Sequence, residues 1–163
     1  MIIRKAEITD LNALLDIYNY EVMHGVATLD LEPKAIEEWE KWFYNHNISN
    51  HPLVVAEVDD MIAGYASLSS YREKEAYKTT VELSVYVSAH HRKQGIATSL
   101  MTVILEDAKK DDQTHMVVSV ITAGNEGSRR LHEKFGFQFC GTIPEVGLKF
   151  GKYQDIENYS LKV

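Results

Sequence analysis

A chain of 163 residues, 45% apolar and 25% charged, has the length and composition of one soluble globular domain around one core. Its 24 acidic residues outnumber the 17 basic ones and leave a net charge of −7. That balance excludes a nucleic-acid binder, which needs a basic face for phosphates, and a protein that docks on anionic membranes.

Ile2 to Glu7 reads as a short strand, and Arg4, Lys5, Glu7 and Asp10 interrupt any apolar run that a signal peptide would need. No stretch approaches the roughly 20 apolar residues of a membrane span, so the expected location is the cytoplasm. Thr9 or Asp10 caps a helix whose Leu11, Leu14, Leu15, Tyr18 and Val22 share one face, and His24-Gly25 ends it. Residues 25–33 are irregular. Pro33 suits the first turn of a second helix, on which Ile36, Trp39 and Phe43 line up as core. Leu53 to Val58 and Ile62 to Ser69 are strands joined by a tight hairpin at Asp59-Asp60-Met61. Residues 70–78, Ser-Tyr-Arg-Glu-Lys-Glu-Ala-Tyr-Lys, are charged and without period. They form either a solvated loop or, from their place before the next strand, a substrate lid.

In that next strand Val81, Leu83, Val85 and Val87 alternate with other residues. A basic turn with one glycine, Gly95, leads straight into a helix marked by Ala97, Leu100, Met101, Ile104, Leu105 and Ala108, with Lys109 and Lys110 in its last turn. A strand–turn–helix junction offers unpaired helix N–H groups to a phosphate. Arg92 and Lys93 add positive charge where the helix dipole disfavours it. The alternative is a solvated loop with a glycine for positive φ. Neither a Walker loop nor a dinucleotide G-x-G-x-x-G turn is present.

Asp111-Asp112-Gln113 breaks the chain, and Met116 to Thr122 is an apolar, β-branched strand. Asn125 to Lys134 is a short helix with Ser128, Leu131 and Phe135 spaced along it, terminated by Gly136. Phe137 to Ile143 is a strand, Pro144 to Lys152 a loop and Tyr153 to Leu161 a final strand. The only cysteine, Cys140, excludes an intrachain disulfide and a cysteine-paired zinc site, so no metal is expected. Between Phe139 and Gly141 it reads as a buried, inert thiol rather than a nucleophile.

The turn Arg92-Lys93-Gln94-Gly95-Ile96-Ala97 resembles Arg-x-x-Gly-x-Gly/Ala, the acetyl-CoA pyrophosphate loop of the GNAT superfamily of N-acetyltransferases. Asn125-Glu126-Gly127-Ser128-Arg129-Arg130-Leu131-His132-Glu133-Lys134-Phe135-Gly136-Phe137 looks like a second signature of that superfamily, Asn-x-x-Ser/Ala-x-x-Leu-Tyr-x-x-x-Gly-Phe, in the right order and separation. Ala76-Tyr77, Thr80-Val81-Glu82, Ser84-Val85-Tyr86-Val87, Leu131-His132-Glu133 and the run Gly147 to Asp155 are similar to its phosphinothricin and methionine sulfoximine N-acetyltransferase branch. His132 stands where many members carry Tyr. Lys74 stands where the branch often has Arg, so a carboxylate would meet a point charge and not a fork. The likeness runs from Ile3 to Leu161. It implies an α/β (α+β) GNAT fold in one domain, 1–163: a mixed, mostly antiparallel sheet of about seven strands flanked by about four helices, in the order β-α-α-β-β-β-α-β-α-β-β.

The same resemblance implies transfer of acetyl from acetyl-CoA to the α-amino group of a small amino acid or analogue, by a cytoplasmic homodimer. Such a reaction needs the cofactor held, the amine neutral, the oxyanion stabilised and the leaving thiolate protonated. Arg92 opens the cofactor loop, and Lys93, Gln94, Gly95, Ile96, Ala97 and Thr98 would offer backbone N–H groups to the pyrophosphate. Val85, Tyr86 and Val87 would pair with the pantetheine like an added strand, and Asn125 and Ser128 would contact it from the next helix. Glu82 is the implied base, against a plain reading as a polar residue on a half-exposed strand. An α-amino group, with an unperturbed pKa near 8, asks less of a base than a lysine near 10.4. His132 would protonate the thiolate or relay a proton, or else is a packing residue. Arg72, Lys74 and Tyr77 would meet the acid group of the substrate, with Lys149 joining them from a partner subunit. Two other readings stand beside this one: acetylation of protein N-termini, and a CoA-binding sensor without turnover.

Overall fold

The computed structural model describes residues 1–163. Alternation along β2 (Leu53–Val58) sets the layering: Leu53 and Val55 pack to one side, Val54 and Ala56 to the other, and all four are buried. On the first side lie α1 (Leu11–His24) and α2 (Ile36–Tyr44), which supply Leu11, Leu14, Ile17, Trp39 and Phe43. On the second lies α3 (Ile96–Lys110), whose Leu100, Met101, Ile104 and Leu105 are at most 2% exposed. The remaining elements are β1 (Ile2–Lys5), β3 (Met61–Ser70), β4 (Thr80–Val87), β5 (Met116–Thr122), α4 (Glu126–Lys134), β6 (Gln138–Lys149) and β7 (Lys152–Lys162). The seven strands form one sheet in the order β1-β2-β3-β4-β5-β7-β6. Every neighbouring pair is antiparallel except β4 and β5. This is the mixed α/β fold, element order included, that the sequence resemblance implies. No helix is long and apolar enough to cross a membrane.

β2 and β3 are joined through Asp59 and Asp60, both at positive φ (50° and 62°), the primed turn that a right-twisted hairpin favours. Asp10 precedes α1 as expected, but its carboxylate turns back. It accepts the Glu7 N–H and both guanidinium nitrogens of Arg4 at 2.8 and 2.9 Å. Burial alone would raise the Asp10 pKa; these hydrogen bonds hold it below its ordinary value.

Three expectations need correction. Pro33 lies outside α2, whose N-cap is Ala35, so the irregular stretch runs to residue 35. The loop expected at Pro144 to Lys152 is mostly strand: β6 continues to Lys149 across a register shift between Ile143 and Gly147, and the turn is only Phe150-Gly151. Pro144 lacks an N–H, and Glu145 sits at φ 53° with its N–H on the Asp155 carboxylate. That bulge breaks the alternation by which a strand is recognised. Cys140 is exposed, because β6 is the outer edge of the sheet, and its thiol lies 3.2 Å from the Ser160 hydroxyl.

Candidate active site

β4 and β5 pair only from Thr80–Glu82 to Met116–Val118 and then separate. Beyond that point a wedge opens between Leu83–Val87 on one strand and Ser119–Thr122 on the other. It is the heart of a cavity of about 1360 Å³. Backbone N–H and C=O groups on the inner edges of the wedge have no strand partner, so an extended, amide-bearing ligand can complete the sheet there. Val85, Tyr86 and Val87 line it, as do Ser119, Val120 and Ile121 opposite.

The turn from β4 into α3 closes one end. Lys93 and Gly95 are both left-handed (φ 61° and 78°). The first helical hydrogen bond runs from the Ser99 N–H to the Gly95 carbonyl at 3.1 Å, which leaves the N–H groups of Ile96, Ala97 and Thr98 without helical partners. The Ile96 side chain is buried and anchors the helix start in the core. A Cβ added at Gly95 would meet nothing within 4 Å, so a diphosphate has room against these N–H groups. Ala97 and Arg92 line the cavity; Lys93, Gln94, Gly95, Ile96 and Thr98 form the turn beside it. The Arg92 guanidinium does not stand free for phosphate. It pairs with the Glu21 carboxylate of α1.

Asn125 caps α4, its Oδ1 accepting the Ser128 N–H at 3.2 Å, and both residues line the wedge. His132 is 4% exposed and bound at both nitrogens. Nδ1 lies 2.7 Å from the Ser128 carbonyl and Nε2 2.8 Å from the Ser119 hydroxyl. A carbonyl only accepts, so Nδ1 carries the proton and Nε2 receives that of Ser119. Burial lowers the His132 pKa and keeps the ring neutral. His132 and Ser119, joined in this way, both line the cavity.

The other end of the cavity is aromatic. Tyr18 stacks on Trp39 at 4.5 Å, Trp39 on Trp42 at 4.3 Å, and Tyr86 lies 5.4 Å from both Tyr18 and Tyr65. Residues Val26 to Asp30 complete this wall. They are pinned by Lys149, whose Nζ donates to the Thr28 carbonyl at 2.8 Å, by Thr122, whose hydroxyl donates to the Val26 carbonyl at 2.6 Å, and by Tyr18, which bonds Asp30 and Thr28. Glu82, the last residue of β4 paired with β5, also lines the cavity, half-buried, its carboxyl pKa raised by burial.

The structure thus brings Glu82, Val85 to Val87, Arg92, Ala97, Asn125, Ser128 and His132 to one cavity. It does not bring Arg72, Lys74, Tyr77 or Lys149 to its lining. Arg72 lies over the rings of Tyr71 and Tyr77 at 5.0 and 5.8 Å, on an exposed loop. Lys149 is buried among carbonyls of its own chain. Sequence reasoning missed Ser69, Ser119, Tyr65, Trp42 and the 26–30 wall. The tryptophan pattern of α2 was the one available signal, and it pointed to core; Trp39 is both core and cavity wall.

The model of the acetyltransferase (GNAT) family matches residues 14–137. An L-methionine sulfoximine/L-methionine sulfone acetyltransferase of Salmonella typhimurium is 31% identical over 163 residues, 100% of this chain and 95% of that protein. A phosphinothricin N-acetyltransferase of Streptomyces coelicolor is 40% identical over 154 residues, 92% of this chain and 89% of that protein. The crystal structure of a ribosomal-protein-alanine N-acetyltransferase from Brucella melitensis superposes with a TM-score of 0.96 at 36% identity and full coverage of both chains. That of a phosphinothricin acetyltransferase from Sinorhizobium meliloti, in complex with acetyl-CoA, superposes at 0.94 and 28% identity over 99% of this chain and 88% of its own.

Replacing Gly95 by Asp places a side chain and a negative charge against the free N–H groups of α3, at a φ that suits glycine. Calorimetric titration with CoA should show affinity falling about 30- to 100-fold, the equivalent of about 2–3 kcal/mol, while circular dichroism stays that of the folded protein. Undiminished affinity in a folded variant would remove the diphosphate from this turn.

Proposed function

Because the chain belongs to the acetyltransferase (GNAT) family, we propose that this acetyl-CoA-dependent N-acetyltransferase acts on the α-amino group of a small amino acid or analogue, of the methionine sulfone, methionine sulfoximine or phosphinothricin type. The observation that carries this reading is Glu82, a half-buried carboxylate that lines one cavity with the open edge of β4 and with Tyr18, Trp39 and Trp42. The curated relatives, 31% and 40% identical, bear those substrates in their names. We take residues 1–163 as one catalytic domain, which the end-to-end superposition with a full-length neighbour supports.

Acetyl-CoA supplies an activated acyl group. In this reading the chain's part is to hold and orient. The N–H groups of Ile96, Ala97 and Thr98 face the diphosphate, and the inner edge of Val85 to Val87 lies along the pantetheine. Glu82 takes the proton of the incoming ammonium. Burial raises the carboxyl pKa and so narrows the gap to an α-ammonium near 8. Ser119, held by His132, keeps one polar atom at the closed end of the wedge, next to the last paired residue Val118. Arg72, Lys74 and Tyr77 stand outside the cavity lining, on the exposed loop that feeds β4 beside Glu82; the family resemblance alone assigns them to the substrate's acid group. Lys149 is assigned to the wall that encloses the side chain.

A second reading, acetylation of a protein N-terminus, is favoured by one finding: the neighbour from Brucella melitensis is named for it and is 36% identical throughout. The side chains that line the aromatic end, with residues 26–30 beside them, favour a free amino acid over a polypeptide. We also propose a cytoplasmic homodimer. β6 is an edge strand, and Phe139, Ile143, Val146 and Leu148 on it, Phe150 in its turn and Tyr153 at the start of β7 are exposed. So much apolar surface on an open edge calls for cover. The exposed thiol of Cys140 on the same strand suits a reducing compartment.

Glu82→Gln should lower kcat by about 10²–10⁴-fold with acetyl-CoA affinity unchanged. In the wild type, kcat/KM should rise with pH through a limb above the usual carboxylate value of about 4.3, since burial disfavours the charged form that serves as base. Full turnover by the variant at every pH would assign Glu82 to structure. On a substrate panel followed by thiol release, methionine sulfone should exceed its own amide and a peptide amine by roughly ten- to a hundredfold in kcat/KM, one or two charge-assisted hydrogen bonds in size, and Arg72→Ala should erase most of that margin. A preference for peptides beginning with alanine would select the second reading. Sedimentation equilibrium should give twice the chain mass, and Leu148→Asp should halve it; a monomeric wild type would refute the dimer.

A further inference from the structure

Ser69 on β3 and Glu82 on β4 are opposed partners in the antiparallel register. Opposed residues project from the same face of a sheet, side by side. Both line the cavity. Behind Ser69, two residues past the end of α2, lies His46, 5% exposed and bound at both nitrogens. Its Nδ1 is 2.7 Å from the Trp42 carbonyl and its Nε2 is 2.7 Å from the Ser69 hydroxyl. The carbonyl can only accept, so the proton sits on Nδ1 and the lone pair on Nε2 receives the hydroxyl proton of Ser69. Burial holds the imidazole neutral, and the ring of His51, 6.5 Å away, acts in the same direction. Apart from His51, the titratable group nearest this pair along the strands is Glu82 itself. The one proton of Ser69 is thus committed inside the wall, and toward the cavity the residue offers lone pairs alone.

An amine about to attack a carbonyl carbon has two N–H groups and one lone pair. A single acceptor lets it spin about the hydrogen bond. Two acceptors side by side, the Ser69 hydroxyl oxygen and the carboxyl oxygen of Glu82 that does not carry the proton, engage both N–H groups and leave only the lone pair free to point at the acyl carbon. A serine free to rotate could instead donate its proton to that lone pair and block it. We propose that Ser69 is a second anchor for the substrate's amine beside Glu82, and that His46 is the positioning residue that keeps Ser69 an acceptor. The proposal rests on the reading of Glu82 as the base. It makes the site selective for primary over N-methylated amines, since a secondary amine has a single N–H to share between two acceptors.

The test compares kcat/KM for methionine sulfone and N-methyl methionine sulfone in the wild type, Ser69→Ala, His46→Phe and the double variant, with Glu82→Gln alongside. Ser69→Ala and His46→Phe should each lower kcat/KM for the primary amine about 3- to 10-fold, the range of one neutral hydrogen bond. Both should leave acetyl-CoA affinity and the N-methyl rate unchanged, so that the primary-to-N-methyl ratio shrinks by the same factor. The double variant should be no worse than Ser69→Ala. An unaltered ratio in Ser69→Ala, equal losses on both substrates, or losses that multiply in the double variant would each overturn the proposal. If His46→Phe does not fold, the ratio in Ser69→Ala decides alone. An unaltered ratio together with an inactive Glu82→Gln would reject the second anchor and keep the base; a fully active Glu82→Gln would reject both.

Discussion

β4 and β5 run parallel, pair over Thr80–Glu82 and Met116–Val118, and then part. A sheet normally satisfies every inner backbone group, so the parting leaves a double row of donors and acceptors that something else must meet. The core makes the gap permanent. Val81 and Leu83 are buried under α3, Val117 and Ile121 lie in the same core, and neither strand can swing toward the other without opening that packing. Because each strand of the wedge runs directly into a helix, the starts of α3 and α4 both lie at its mouth. Their partial positive charges gather where an anionic ligand enters. In an acidic chain this is a local reversal of sign made from backbone, with few basic side chains needed.

The aromatic end of the cavity is organised differently. Here side chains do the work, and they come from remote parts of the chain: Tyr18 and Glu21 from α1, Trp39 and Trp42 from α2, Thr122 from β5 and Lys149 from β6. Burial of the Lys149 ammonium lowers its pKa, and carbonyl oxygens of Glu21 and Thr28 receive its protons. A buried cation is tolerable only with such partners. Arg92 serves a related purpose, joining the turn before α3 to Glu21 on α1. The carbonyl of Glu21 on Lys149 and its carboxylate on Arg92 tie the two ends of the cavity to one helical turn.

Local signals made the frame legible. Alternation named β4, the 3.6-residue period named α3, and the glycine turn between them marked the cofactor end, because each is written in consecutive residues. The resemblance then placed Glu82, Asn125 and His132 in one site, and the geometry brought them to one cavity. What stayed hidden depends on long-range register. Ser69 is one polar residue in an apolar strand until its opposition to Glu82 is known, and nothing in residues 26–30 announces a wall held by Lys149. The β6 extension was missed for a local reason, since the bulge at Pro144 and Glu145 disguises a strand as a loop. Cys140 was misjudged because apolar neighbours on an edge strand look the same as those in a core.

The hold of Lys149 on the Thr28 carbonyl spans 121 residues, and that of Thr122 on the Val26 carbonyl spans 96. Contacts of such separation close late, after the local hairpins and helices have formed. On a ribosome, residues 26–30 emerge early, but Lys149 follows only when nearly the whole chain has been made. The elements around the wedge wait for the same stretch: β5 pairs along its whole length with β7, and Phe137 and Tyr159 pack in the core with Val117 and Ile121. Both ends of the cavity are therefore completed together by β6 and β7, and a nascent chain has neither until its last strands leave the ribosome.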